Sequence, residues 1–262
     1  MGGIGLKIAV SGKGGVGKTT VSAGLAYLLS RDGYNVYAVD ADPDATLGLT
    51  LGFSPEELTK MKPLVELDEV IKEKSGGGGA YYNLNPDVDD VIADYSLQRD
   101  KIHLLLMGGI KQGGSACYCR ENSFLNAVLN TLLDKQDVVI LDMSAGIEHL
   151  TRGTAQGVDM IFVVAEPTRA GVKTAGLVCK LARELGIAGI KIIGNKIRRE
   201  EEKEFIRRSL PGETIAGFLP YGDKVWERSM DDKLTGFSAD DLPAGLEEVY
   251  NKYLKGEVTG GK

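Results

Sequence analysis

The chain lacks an excess of basic charge, a long apolar run, a secretory leader and a cysteine framework, and each absence excludes a class of protein. Its 31 Lys plus Arg stand against 37 Asp plus Glu, giving a net charge of -6 and a sequence pI near 5.2. Basic residues scattered over an acidic chain do not make the electrostatic footprint of a nucleic-acid binder. The longest apolar runs, such as Met160 to Ala165, fall far below the roughly 20 residues that span a bilayer, and Met1 to Gly5 has no signal-peptide character. The expectation is a soluble, cytoplasmic protein with neither nucleic acid nor membrane as partner. Three cysteines, two of them spaced Cys117-x-Cys119, suit metal or redox chemistry better than a disulfide framework.

What is present is a rhythm. Apolar runs of strand length, Leu6 to Val10 and Asn35 to Asp40, flank a helical stretch from Thr19 to Arg31, which makes a βαβ opening. Further strands are expected at Ile102 to Met107, Val138 to Asp142, Met160 to Ala165, Ile190 to Gly194 and Thr214 to Leu219. Helical patterns cover Ser123 to Asp134, Thr168 to Leu185, Glu200 to Leu210 and Pro243 to Leu254. Most of the strands read as continuous apolar runs, the mark of a parallel sheet covered on both faces. The fold class expected is α/β, a doubly wound and mostly parallel sheet with helices on both faces. A length of 262 residues fits one domain spanning 1–262.

Leu51 to Asp100 fits this rhythm badly, mixing a Pro55-Glu56-Glu57 helix start with a glycine run and an acidic stretch, and reads as an insertion with mobile parts. Its Gly76 to Gly79 run reads as a flexible linker. The acidic stretch Asp87 to Asp94 reads as a solvated face.

After the first strand comes Gly12-Lys13-Gly14-Gly15-Val16-Gly17-Lys18-Thr19, which fits the phosphate-loop pattern G-x-x-x-x-G-K-[ST] between a strand and a helix. Glycines let backbone N–H groups close around phosphate oxygens, and the helix that follows turns its positive end to the anion. Lys18 is placed to reach the β and γ phosphates, and the Thr19 hydroxyl to serve Mg²⁺, which takes hard oxygen ligands. Thr20 follows in the first helical turn and joins Gly12 to Thr19 in the nucleotide-binding set.

Lys13 is a second lysine inside the loop. With it the loop resembles the deviant Walker A family of dimeric, MinD-like P-loop ATPases, whose pattern is G-K-G-G-x-G-K-[ST]. The resemblance implies that Lys13 reaches across a subunit interface to the partner's nucleotide, much as an arginine finger does. Val39-Asp40-Ala41-Asp42-Pro43-Asp44 is similar to the family's first switch; Asp42 is then the residue that orients the attacking water, with Asp40 near Mg²⁺. Leu141-Asp142-Met143-Ser144-Ala145-Gly146 resembles the second switch, with Asp142 holding a Mg²⁺-bound water and Met143 standing where threonine is common. Helix capping and turn formation are the plainer uses of such aspartates. Their place at the carboxyl ends of parallel strands favours the switches.

A guanine site usually wants Asn-Lys-x-Asp, with the last carboxylate accepting from the ring edge. Here the run is Asn195-Lys196-Ile197-Arg198, a cation in place of the carboxylate, so adenine is favoured. The resemblance implies that Asn195 contacts the adenine edge and that Leu219-Pro220-Tyr221 passes close to the ring.

Cys117 and Cys119 follow a glycine-rich segment and precede a helix. Cysteines two apart in extended chain point to one side, so one pair supplies half of a four-thiolate shell and a two-fold dimer the other half. A pair of free thiols and a redox-active disulfide are the alternatives. The whole constellation resembles the CooC-type nickel-insertion ATPases that serve carbon monoxide dehydrogenase or acetyl-CoA synthase, from about Leu6 to Trp226. That likeness implies a homodimer, ATP/ADP and Mg²⁺, Ni²⁺ or Zn²⁺ at Cys117 and Cys119, and an apo nickel enzyme as client. An iron–sulfur cluster carrier on the same framework is the alternative function. The nitrogenase iron protein is disfavoured because Asp142 to His149 contains no cysteine. A membrane-bound MinD is disfavoured because the tail mixes Glu247, Glu248 and Glu257 with lysines, and DNA partitioning because Glu200, Glu201, Glu202 and Glu204 offset the nearby arginines. Cys179 and His103 read as core residues, Trp226 as packing, and His149 as a minor metal or switch candidate.

Overall fold

The computed structural model describes residues 5–74, 87–108, 118–134, 138–147, 150, 157–223, 227, 230 and 236–256, with residues 118–123 and 133–134 described by backbone alone. The phosphate-loop half opens with β1 (Lys7–Gly12), α1 (Lys18–Arg31) and β2 (Val36–Ala41). Short helices α2 (Leu47–Thr50), α3 (Pro55–Leu58), α4 (Asp68–Lys74) and α5 (Asp89–Asp94) follow, then β3 (Leu97–Arg99) and β4 (Ile102–Leu106). The second half contains α6 (Tyr118–Asp134), β5 (Val138–Met143), β6 (Met160–Ala165), α7 (Arg169–Glu184), β7 (Gly189–Ile197), α8 (Glu200–Ser209), β8 (Ile215–Pro220) and α9 (Leu246–Tyr253).

The strands form one eight-stranded sheet in the order β3-β4-β2-β5-β1-β6-β7-β8. All pairings are parallel except β3 with β4. All six residues of β5 are buried, which is why Val138 to Leu141 read as an unbroken apolar run, with Asp142 following at the site end. Alternate residues of a strand serve opposite faces. Ile8 and Val10 join Leu25, Leu28, Phe162, Leu246 and Tyr250 under α1 and α9, while Ala9 joins Phe124, Val128, Leu141, Val178 and Cys179 under α6 and α7. Helices on both faces make the sheet doubly wound, as expected.

Between residues 51 and 100 the helix start at Pro55 is borne out, and the structure adds what the apolar rhythm missed. Ser54 and Glu57 form a reciprocal capping box, with Pro55 opening α3. The acidic stretch coils into α5, whose Val91 and Ile92 are buried with Leu64, Leu67 and Ile71 in the core beside α6. The Gly76 to Gly79 run lies outside the described residues, as do Trp226 and His149. His103 is half-buried in β4 and stacks on Tyr37 with ring centroids 4.9 Å apart. Among the described residues no helix is long and apolar enough to cross a membrane.

Candidate nucleotide site

β1 lies between β5 and β6; the connection from β1 runs to β2 on one side, and the connection from β5 crosses β1 to β6 on the other. Such a switch point opens a crevice at the carboxyl ends of the strands. The phosphate loop fills that place. Gly12 passes so close to β6 that a Cβ there would lie 2.4 Å from the Val164 carbonyl oxygen, and Gly17, at φ 100°, turns the chain into α1 with no side-chain cap. The first N–H groups of α1 are therefore left for an anion. Gly14 and Gly15 face open space, while Val16 is fully buried and donates its N–H to the Lys13 carbonyl at 3.2 Å. Thr20 is half-buried in the first turn of α1.

Both loop lysines are paired. Lys18 Nζ lies 3.1 Å from Asp42 Oδ2, with 7% and 14% of the two side chains exposed. Lys13 Nζ lies 3.2 Å from Glu166 Oε1. Glu166 directly follows β6, and the same carboxylate oxygen accepts from the Thr168 hydroxyl at 3.1 Å. Thr168 in turn caps α7 by accepting from the Gly171 N–H at 2.9 Å. Sequence reasoning did not single out Glu166; a carboxylate at the end of a strand beside β1, followed by Pro167 and a capping threonine, was the available signal.

Asp40 and Asp142 end β2 and β5 as Cα partners. Asp40 accepts from the Leu47 N–H at 2.8 Å and the Asp42 N–H at 3.2 Å. Burial, with the neighbouring Asp142 charge, pushes its carboxyl up to about 7. Asp142 Oδ1 accepts from the Ser22 hydroxyl at 3.0 Å, whereas Oδ2 is buried without a hydrogen-bond partner among the described residues. Burial pushes Asp142 up to about 6, against the downward pull of the Thr19 and Ser22 hydroxyls and of Lys18. A buried carboxylate oxygen left unpartnered near the Thr19 hydroxyl is a donor set that fits Mg²⁺. Thr19 also lies 3.4 Å from the Thr46 hydroxyl.

The far side of the loop is gripped by β7. Asn195 Nδ2 donates to the Val16 carbonyl at 2.8 Å, and Lys196 Nζ to the Gly15 carbonyl at 2.6 Å. Neighbouring side chains of a regular strand point to opposite faces. Here the register shifts between Gly194 and Ile197, and Lys196 takes a left-handed φ of 61°, so both side chains reach the loop. Leu219 is fully buried in the core, Pro220 is exposed, and Tyr221 lies under the Arg198 guanidinium at 4.3 Å. Cys117 and the Cys119 side chain lie outside the described residues, but the Cys119 backbone already belongs to α6, not to the extended chain expected ahead of the helix. Cys179 is buried in the core as expected, and burial pushes its thiol up to about 12.

A phosphate loop, paired carboxylates and a doubly wound parallel sheet define a P-loop, nucleotide-binding ATPase. The chain matches the CobQ/CobB/MinD/ParA nucleotide binding domain over residues 7–235. It is 40% identical over 258 residues to an ATP-binding protein of Methanocaldococcus jannaschii, covering 95% of this chain and 98% of that protein. It is 38% identical over 224 residues to the carbon monoxide dehydrogenase accessory protein CooC of Rhodospirillum rubrum, covering 84% and 85% of the two. A ParA family ATPase from Chlorobium tepidum shares the fold, with a TM-score of 0.65 at 18% identity and coverage of 98% and 95%. The chain belongs to the CobQ/CobB/MinD/ParA family and, within it, fits the CooC-type MinD-like ATPases.

Proposed function

We propose that this protein is a dimeric, Mg²⁺-dependent ATPase that binds Ni²⁺ at an intersubunit site built from Cys117 and Cys119 and supports nickel insertion into carbon monoxide dehydrogenase or acetyl-CoA synthase. The observation that carries the reading is one coincidence: a built phosphate site in a chain that resembles the carbon monoxide dehydrogenase accessory protein CooC along most of its length.

The phosphates of ATP sit on the loop N–H groups and take Lys18 from Asp42. Asp42, freed, orients the water that adds to the γ-phosphorus as the bridging oxygen leaves with ADP. Lys13 leaves Glu166 for the partner's nucleotide, which couples ATP to subunit pairing. Thr19, Asp142 and Asp40 would hold Mg²⁺, directly or through water, and the ion would neutralise phosphate charge. Asn195 and Pro220 line the adenine end, whereas Leu219, expected there from the sequence, is buried in the core. Nickel is the cargo; pairing of the subunits brings two Cys117-x-Cys119 segments together, and hydrolysis relaxes the interface and releases the metal. Thiolates also accept Zn²⁺, and availability rather than affinity decides between them.

Anaerobic Ni²⁺ titration with sizing tests the reading on wild type and the double variant Cys117→Ser/Cys119→Ser, with ADP and with ATP. A single Ni²⁺ per dimer, absent from the double variant and altered by nucleotide, is expected. Nucleotide-independent or cysteine-independent metal overturns the coupling. A brown iron–sulfur chromophore held by the same cysteines replaces it with the cluster-carrier function.

A further inference from the structure

At the amino ends of β2 and β4, away from the phosphate loop, the molecule holds a cavity of about 560 Å³, within the size range of small-molecule sites. The last turns of α1, the chain after α2, the turn between β3 and β4, and Gly236 with Phe237 border it. Main chain fixes its shape. Val36, which opens β2, donates its N–H to the Lys101 carbonyl at 2.8 Å. Gly52, at φ 83°, passes so close to Gly236 that a Cβ there would lie 2.3 Å from the Gly236 nitrogen.

Two kinds of side chain line the cavity. Tyr27 and Phe237 meet with ring centroids 5.8 Å apart, and Phe53 carries the Arg99 guanidinium 4.5 Å from its ring centroid. Arg31, Arg99 and Lys101 bring three cations against Asp100, the one acid among the described lining residues. Arg31 is matched by Glu247 at 2.7 Å and Arg99 by Glu57 at 3.2 Å. Lys101 is matched by no carboxylate among the described residues; its Nζ donates to the neutral Gly33 carbonyl at 2.7 Å.

We infer that this cavity binds a small organic acid, its flat apolar body packed on the Tyr27, Phe53 and Phe237 rings and its carboxylate on the Lys101 ammonium. Aromatic walls favour a flat apolar body. The charge of Lys101 selects the head: an ammonium that trades a neutral carbonyl for a carboxylate gains a charge-assisted hydrogen bond. Arg31 and Arg99 already hold theirs. Lys101 is exposed at the rim and can change partner without disturbing the core. The acid and the nucleotide occupy opposite ends of the sheet, so both bind at once.

The test is calorimetric titration of the full chain, with and without saturating Mg²⁺ and ADP, using 2-naphthoate and its uncharged counterpart 2-naphthamide as probes. A single 2-naphthoate per chain is expected, with a dissociation constant of about 1 mM or tighter. The amide should bind about tenfold more weakly. Lys101→Gln removes that gap, Lys101→Arg keeps most of it, and Phe237→Ala weakens both probes alike. The ratio of the two constants within one variant is not moved by a change in its folded fraction. Absence of saturable 2-naphthoate binding, or a gap unchanged in Lys101→Gln, overturns the inference. Binding that ADP abolishes places the probe in the nucleotide cleft and overturns it as well.

Discussion

Asp40 and Asp142 are Cα partners on adjacent parallel strands, 1% and 0% exposed, so two carboxyl groups share one buried strand end. Burial raises both above the ordinary 3.8, to about 7 and about 6. The folded chain therefore keeps protons that the unfolded chain gives up. Stability contributed by these groups is present below about pH 4 and declines as the pH rises through 6 and 7. In Mg²⁺-free, nucleotide-free buffer, Asp142→Asn is expected to be the more stable form at pH 8, by roughly 1–3 kcal/mol. Its advantage should vanish near pH 4. Denaturant melts of both proteins across that range check this, and parallel pH profiles would refute it.

Asp42→Ala frees Lys18 from its partner and removes the residue assigned to the attacking water. ATP should bind at least as tightly as to wild type, turnover should fall by about a hundredfold, and ATP-bound dimer should accumulate. Turnover at the wild-type rate takes Asp42 out of the mechanism.

Lys13→Ala is expected to keep nucleotide binding, because Lys18 and the loop N–H groups remain. Dimerisation driven by ATP should disappear in sizing experiments, and turnover should fall by about a thousandfold, as when an arginine finger is removed. Unchanged dimerisation would show that Lys13 acts within its own subunit.

Tyr250 of α9 is fully buried, and its hydroxyl donates to Asp32 at 2.9 Å at the end of α1. Asp32 also meets Lys255 at 3.1 Å. Tyr250→Phe leaves the ring packed but deprives a carboxylate of a donor, so unfolding free energy should drop by about 1–2 kcal/mol with ATP turnover unaltered. A variant as stable as wild type would mean that water replaces the phenol.

Much of this arrangement was legible in the chain. The buried strands announced themselves because a parallel strand covered on both faces is apolar along its body, as β5 is from Val138 to Leu141 before Asp142 enters the site. The phosphate loop was legible because its shape tolerates few residue types. β3 was not, since three residues on an edge, with Gln98 exposed, carry no periodic pattern. Nor was the packing of α5, whose two core residues are hidden among aspartates. The partners of the two loop lysines come from residues 24 and 153 positions further on in the sequence, distances at which only the folded sheet brings them to the loop. The grip of Lys196 was hidden for a different reason: it depends on a left-handed backbone turn that a lysine does not advertise.

The pairing of Lys13 with Glu166 and of Lys18 with Asp42 has a consequence for which anions the loop takes up. A cradle with bare lysines would collect any small anion in the cell. With both cations already matched by carboxylates, a lone orthophosphate gains little by displacing them. A polyphosphate chain can take Lys18 from Asp42 and add the loop N–H groups in the same event, while Lys13 turns to the nucleotide of the partner subunit on the reading proposed above. On that reading the Lys18–Asp42 pair weighs against the abundant single phosphate and in favour of the nucleotide.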